Sequence, residues 1–154
     1  MERSDIILLG GGLVGLALAA ALDSSGLSCT IIDPADPTPR TDAAFDGRTT
    51  AVSSSSMRMF DATGVLAHLP VPGCPIRRIA VADGLEPGGL HFDAEGEEEL
   101  GWMHENRHLR AALQARAAGA PAIRMLWQTR ATDIVRGEFG VSVTTDTGEI
   151  VRAP

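Results

Sequence analysis

The chain has 154 residues, a formal charge of −7 and a pI near 5.0, with 44% hydrophobic and 21% charged residues. That length fits one globular domain with a real core, and the mixed composition excludes a wholly disordered chain. All 13 basic residues are Arg against 20 acids, which excludes a general nucleic-acid binder, because that role needs excess positive charge facing phosphates.

Two cysteines, Cys29 and Cys74, make no disulfide framework, so a reduced, cytoplasmic compartment is expected. Residues Ile6 to Leu22, before Asp23, carry no charge, but Gly10, Gly11, Gly12 and Gly15 interrupt the run. A spanning helix needs about 20 apolar residues, and a signal peptide needs a basic start, which Glu2 and Asp5 offset here.

In chain order, Asp5–Leu9 reads as a buried strand. The glycine cluster follows, then a helix from Leu13 to Leu22 that ends near Ser24–Gly26, then a second buried strand, Leu27–Ile32. This is a βαβ unit with a parallel pair. Asp33–Asp46 holds Pro34, Pro37 and Pro39 and reads as an extended loop. Ser53–Ser56 caps a helix over Met57–Ala62 that stops at Gly64. After a loop at Pro70–Pro75, strands are expected at Ile76–Ala82, Leu90–Phe92 and Leu100–Met103, with the acidic stretch Glu95–Glu99 as a solvated loop. Asn106 is the expected N-cap of a helix through Ala118, with Gly119 as its stop. Ile123–Leu126 reads as a short strand. Ala131–Arg136, Val141–Thr145 and Glu149–Arg152 read as an antiparallel set with turns at Gly137 and Asp146–Gly148.

Gly10-Gly11-Gly12-Leu13-Val14-Gly15 fits G-x-G-x-x-G between a strand and a helix. Gly10 lets the chain turn, Gly12 lets a pyrophosphate approach the backbone, and Gly15 lets helix and strand pack closely. The phosphates then meet free N–H groups and the positive end of the helix dipole. Asp33 ends the second strand, where a carboxylate can accept bonds from ribose hydroxyls. Its charge opposes a 2′-phosphate, so the site suits FAD or NAD rather than NADP. A nicotinamide domain would continue with another regular helix and strand; the proline-rich loop that follows Asp33 favours FAD.

Gly10–Ala19, Asp33-Pro34, the segment Phe45-Asp46-Gly47-Arg48-Thr49-Thr50-Ala51 and the segment Glu105-Asn106-Arg107-His108-Leu109-Arg110 together resemble the aromatic-ring FAD monooxygenases, in particular the ubiquinone-biosynthesis hydroxylases. The resemblance covers essentially the whole chain but only the N-terminal part of the family. It implies an α/β fold: a Rossmann-like FAD-binding βαβ domain with an antiparallel β-meander and the start of a mixed-sheet substrate domain. Residues 1–70 and 104–154 would form the FAD-binding part and 71–103 the strands of the substrate-domain sheet. It also implies non-covalent FAD, NAD(P)H as reductant, and O₂-dependent hydroxylation of a small-molecule aromatic substrate of the prenylated phenol type. By motif match, Gly10, Gly12, Leu13, Val14 and Gly15 would hold the pyrophosphate and Asp33 the ribose. Arg48 would lie near the phosphates or the isoalloxazine side, Arg107 near the phosphate or ribityl region, and the backbone at Ala131 near the adenine edge. The family's prenylated substrates imply peripheral contact with the inner membrane or a biosynthetic complex, although no amphipathic basic helix stands here to provide it.

The family's Asp-Gly motif after the terminal hairpin and its later Gly-Asp motif are missing, so no residue is assigned as catalytic. The chain alone is expected to bind FAD weakly and to be a poor catalyst. Two alternatives stand beside this reading: an NAD-dependent dehydrogenase domain, and a truncated non-catalytic fragment that needs a partner segment. His104-Glu105-Asn106-Arg107-His108 also fits H-E-x-x-H, but a helix that begins at Asn106 leaves His104 on the preceding strand, so no metal is expected. Cys29 should pack in its buried strand, and His68 and His91 should be ordinary surface residues.

Overall fold

The computed structural model describes residues 2–37, 47–84, 89–96 and 98–154. The first half runs β1 (Glu2–Arg3), β2 (Ile6–Leu9), α1 (Leu13–Ser24), β3 (Cys29–Asp33), β4 (Thr49–Ser53), α2 (Ser54–Ala62), β5 (Cys74–Ile76) and β6 (Arg78–Val81). It continues with β7 (Leu90–Asp93), β8 (Gly101–Glu105), α3 (Asn106–Ala118), β9 (Ile123–Trp127), β10 (Ala131–Gly137), β11 (Gly140–Thr145) and β12 (Ile150–Ala153).

The centre is a parallel sheet in the order β2-β3-β9. The first four residues of β3 are buried, as expected of a middle strand covered on both faces. Successive side chains point to opposite faces. Cys29 and Ile31 join the larger core, with Leu16, Ala19 and Ala20 of α1 and Leu109, Ala112, Leu113 and Ala117 of α3. Ile32 joins a smaller core with Val143 and Val151 of the opposite layer. Helices thus cover one face of the sheet. The antiparallel β10-β11-β12 meander covers the other, with β1 added in parallel to β12.

The helices form where their apolar stripes fall. Leu109, Ala112, Leu113 and Ala117 are buried at helical spacing along α3, and alanines at the α1–α3 contact let the two axes approach. Ser53 caps α2, its hydroxyl accepting the Ser56 N–H at 3.2 Å. Arg116 ties three helices together. Its Nη2 donates to Asp23 Oδ2 at 2.6 Å, and its Nε donates to the Thr63 carbonyl at 2.7 Å, just beyond α2.

A second sheet, β4-β8-β5, is antiparallel, and β6-β7 is a separate two-stranded ribbon. Several expectations need correction here. Asn106 is the first helical residue rather than the cap; Glu105 holds the cap position without a side-chain bond, and Asn106 Oδ1 instead accepts from Thr50 Oγ1 at 2.6 Å. The strand expected over Ile76–Ala82 divides at Arg77 into β5, which pairs with β8, and β6, which pairs with β7. Cys74 and Pro75, expected in a loop, belong to β5. α2 begins at Ser54, three residues before the expected start. β1 and β4 were not expected at all: β1 has two residues, and only Val52 of β4 is buried, so neither carries a hydrophobic period.

Candidate dinucleotide site

The site is built at the C-terminal edge of the parallel sheet, where β2 turns into α1. Gly10 has φ +115°, a conformation that favours glycine, and its N–H donates to the Ile32 carbonyl at 2.9 Å. A β-carbon on Gly15 would lie 2.0 Å from the Gly10 carbonyl oxygen, so helix and loop touch there. A β-carbon on Gly12 would meet nothing within 4 Å. That open space lies at the N-cap of α1, which has no side-chain cap and no acid in its first turn. Leu13 and Val14 follow as the first helical residues, Val14 84% exposed. The first N–H groups of a helix have no partner within it, so this terminus suits an anion.

Asp33 lies at the end of β3, as the spacing predicts, and its carboxylate holds the loop. Oδ2 accepts the Gly11 N–H at 2.5 Å and Oδ1 the Ala35 N–H at 2.7 Å. Each carboxylate oxygen has a second lone pair, so ribose hydroxyls can still be accepted. Gly11 itself was not singled out by its sequence. A β-carbon there would lie 2.5 Å from the Trp127 ring, so the indole closes the underside of the loop. The corner after β9 is stitched to the same place: the Gln128 N–H donates to the Ala35 carbonyl and the Thr129 N–H to the Asp33 carbonyl, both at 3.1 Å. Ala131, half-buried at the start of β10, follows directly. The Asp33 carboxylate thus ties the glycine loop, and backbone bonds tie the corner before Ala131 to the Asp33 turn.

Arg48 and Arg107 form a second grouping. β4 and β8 pair so that Thr49 faces Glu105, and the Asn106 N–H donates to the Arg48 carbonyl at 3.1 Å. This places both arginines at the N-terminus of α3. Arg107 Nε donates to Glu105 Oε2 at 2.6 Å, a partner the motif did not suggest. Phe45 and Asp46 of the same motif lie outside the described residues. His104 is on β8 and His108 on α3. Burial, and next the nearby His108, hold the His104 imidazole below its usual range. Among the described residues no three His, Cys, Asp or Glu side chains gather as for a metal ion. Cys29 is buried, and His68 and His91 are exposed.

The open approach at Gly12, the uncapped helix and the carboxylate at the next strand end fit a dinucleotide. A model of the FAD binding domain family matches residues 3–150. The chain is 40% identical to ubiquinone hydroxylase UbiL of Rhodospirillum rubrum over 151 residues, which are 97% of this chain and 35% of that protein. It is 30% identical to 3-demethoxyubiquinol 3-hydroxylase of Escherichia coli over 156 residues, 99% of this chain and 40% of that one. The p-nitrophenol 4-monooxygenase PnpA of Pseudomonas putida DLL-E4 shares the fold, with a TM-score of 0.72 at 17% identity over 99% of this chain and 39% of its own. The chain thus spans between a third and two fifths of the length of these curated relatives. With the glycine loop, the strand-end acid and the family match in agreement, the chain belongs to the FAD binding domain family.

Proposed function

We propose that this chain is the FAD-binding, N-terminal portion of a flavin monooxygenase that hydroxylates an aromatic ring of the prenylated phenol type in ubiquinone biosynthesis, using NAD(P)H and O₂. The carrying observation is the open, uncapped α1 terminus at Gly12 beside Asp33, together with the hydroxylase relatives. In this reading Gly10, Gly12, Leu13, Val14 and Gly15 hold the pyrophosphate through backbone N–H groups. Asp33 accepts the ribose hydroxyls, and the backbone at Ala131 borders the adenine. Arg48 and Arg107 serve the phosphate, ribityl or isoalloxazine region, where a guanidinium can donate two parallel bonds to an anion. Redox chemistry in such an enzyme belongs to the flavin; this chain binds and orients it.

Residues 1–70 and 104–154 form the FAD-binding part in this reading, and 71–103 contribute strands to the substrate domain. The β6-β7 ribbon supports that division. Ile79 faces Phe92 and Val81 faces Leu90 across it, and all four are more than 40% exposed. A lone two-stranded ribbon with such a face gains stability from a covering layer. In this reading the prenylated substrate would bring the whole enzyme to the periphery of the inner membrane or into a biosynthetic complex; no described helix is long and apolar enough to cross a membrane.

The test is a titration with FAD, followed by flavin absorbance and fluorescence, on the chain and on a longer protein that carries it. Uptake of FAD by either supports the reading, and NAD(P)H oxidation coupled to ring hydroxylation by the longer protein supports the activity. Absence of flavin binding in both overturns it. Binding of NAD without FAD would favour a dehydrogenase domain instead.

A further inference from the structure

The path a dinucleotide takes here follows the strand order of the parallel sheet. β2 delivers the glycine loop, β3 delivers Asp33, and β9 is the next strand across. Neighbouring strands lie about 4.8 Å apart, so a pyrophosphate at α1 and a ribose at Asp33 carry the base on toward the end of β9. There Gln128 has φ +52°, and it is the one non-glycine with positive φ among the described residues. A side chain in that conformation brings its β-carbon close to the backbone, and glycine would be less strained.

The three bonds that pin this corner explain the bend but not the residue. Gln128 N–H to the Ala35 carbonyl, Thr129 N–H to the Asp33 carbonyl and Thr129 Oγ1 to the Trp127 carbonyl at 2.9 Å use no atom of the Gln128 side chain. Glycine could make the backbone bond equally well. The Gln128 side chain stands exposed beside the ribose-holding turn. Its amide offers a donor and an acceptor side by side, which is the complement of the adenine N6-amino and N7 edge. Strained residues that persist beside a ligand site are candidates for a role there.

We infer that Gln128 is a specificity-determining residue that reads the adenine edge of the bound dinucleotide. The inference rests on the FAD reading above. It separates the base from the flavin, so ADP, GDP and FMN serve as probes by calorimetry, alongside FAD. Wild type is expected to bind ADP about tenfold more tightly than GDP, the scale of one lost bidentate contact. Gln128→Gly is expected to abolish that preference, leave FMN unchanged and melt no lower than wild type. Gln128→Asn, which tolerates the left-handed conformation and keeps an amide, is expected to retain part of the preference. An unchanged ADP to GDP ratio in Gln128→Gly overturns the inference. So does equal loss of ADP, GDP and FMN with a lowered Tm, which would make Gln128 a packing residue. If the chain, or a longer protein that carries it, binds FAD but does not prefer ADP, the inference falls alone; if both bind neither FAD nor ADP, the underlying reading falls with it.

Discussion

Gly12 and Gly15 stand three residues apart and call for opposite outcomes from the same added methyl group. At Gly15 the new β-carbon would sit 2.0 Å from the Gly10 oxygen and 3.1 Å from its carbon. The obstacle is backbone and cannot rotate away, so α1 must retreat by about 1.4 Å to reach ordinary contact. That retreat loosens Leu16, Ala19 and Ala20, all fully buried against the sheet and α3. The cost is about 3 kcal/mol, the upper range for overpacking, or about 10 °C in Tm for a domain of this size. At Gly12 the β-carbon meets nothing within 4 Å, and φ of −75° suits any residue. Stability should fall by under about 1 kcal/mol, the difference between glycine and alanine at an N-cap. In the proposed reading the methyl instead occupies the space a pyrophosphate needs. Loss of one or two charge-assisted bonds, about 3 kcal/mol, lowers FAD affinity about 100-fold. Thermal melts without ligand and FAD titrations, in the chain or a longer protein that binds FAD, read the two effects separately. Gly12→Ala with wild-type FAD affinity refutes the phosphate approach. Gly15→Ala with wild-type Tm refutes the close helix contact.

Three further outcomes follow from the geometry. Asp33→Ala leaves the Gly11 and Ala35 N–H groups without their acceptor, so urea unfolding should show a loss of about 2 kcal/mol and FAD titration a loss of about tenfold; full stability would mean the loop does not depend on the acid. Arg116→Ala strands the mostly buried Asp23 carboxylate and the Thr63 carbonyl, at a cost of about 3 kcal/mol in denaturant melts, and a cost under about 1 kcal/mol would contradict the tie between helices. His104 is 3% exposed and its Nε2 has no hydrogen-bond partner. Its folded pKa lies below the ordinary 6.5 of the unfolded chain, so below pH 6.5 the unfolded state takes up a proton that the folded state refuses. Stability therefore falls as pH drops from 6.5 toward the folded pKa, by at most about 1.4 kcal/mol per pH unit; His104→Gln should flatten that slope in urea melts at pH 7 and 5.5, and an unchanged slope would assign it to other groups.

The βαβ core was legible because its signals are local. Glycines at a strand end, a helix rich in Ala and Leu, and an acid at the next strand end all lie within the first 33 residues. The meander was legible for the same reason, since its turns carry Gly137 and Gly148. β4 was hidden because Thr49, Ala51 and Ser53 are exposed and its partner β8 lies some fifty residues on. Asn106 looked like a cap because its residue type suits one, yet Thr50, brought close only by that distant pairing, claims its side chain. The placement of Arg48 beside Arg107 is likewise a product of long-range pairing that no local pattern encodes. Nothing in the sequence marks Gln128, because the bonds that bend it come from Asp33 and Ala35.

The alternation along β3 has one more consequence. Ile31 faces the helices, Ile32 faces the meander, and Asp33 returns to the side of the glycine loop. A slip of one residue that carries Asp33 into the place of Ile32 would put its carboxylate among Val143 and Val151 and bring Pro34 beside Gly11. The acid proposed to hold the ribose thus also proofreads the strand pairing: a chain folded in that frame would bury a charge and take the carboxylate away from the glycine loop.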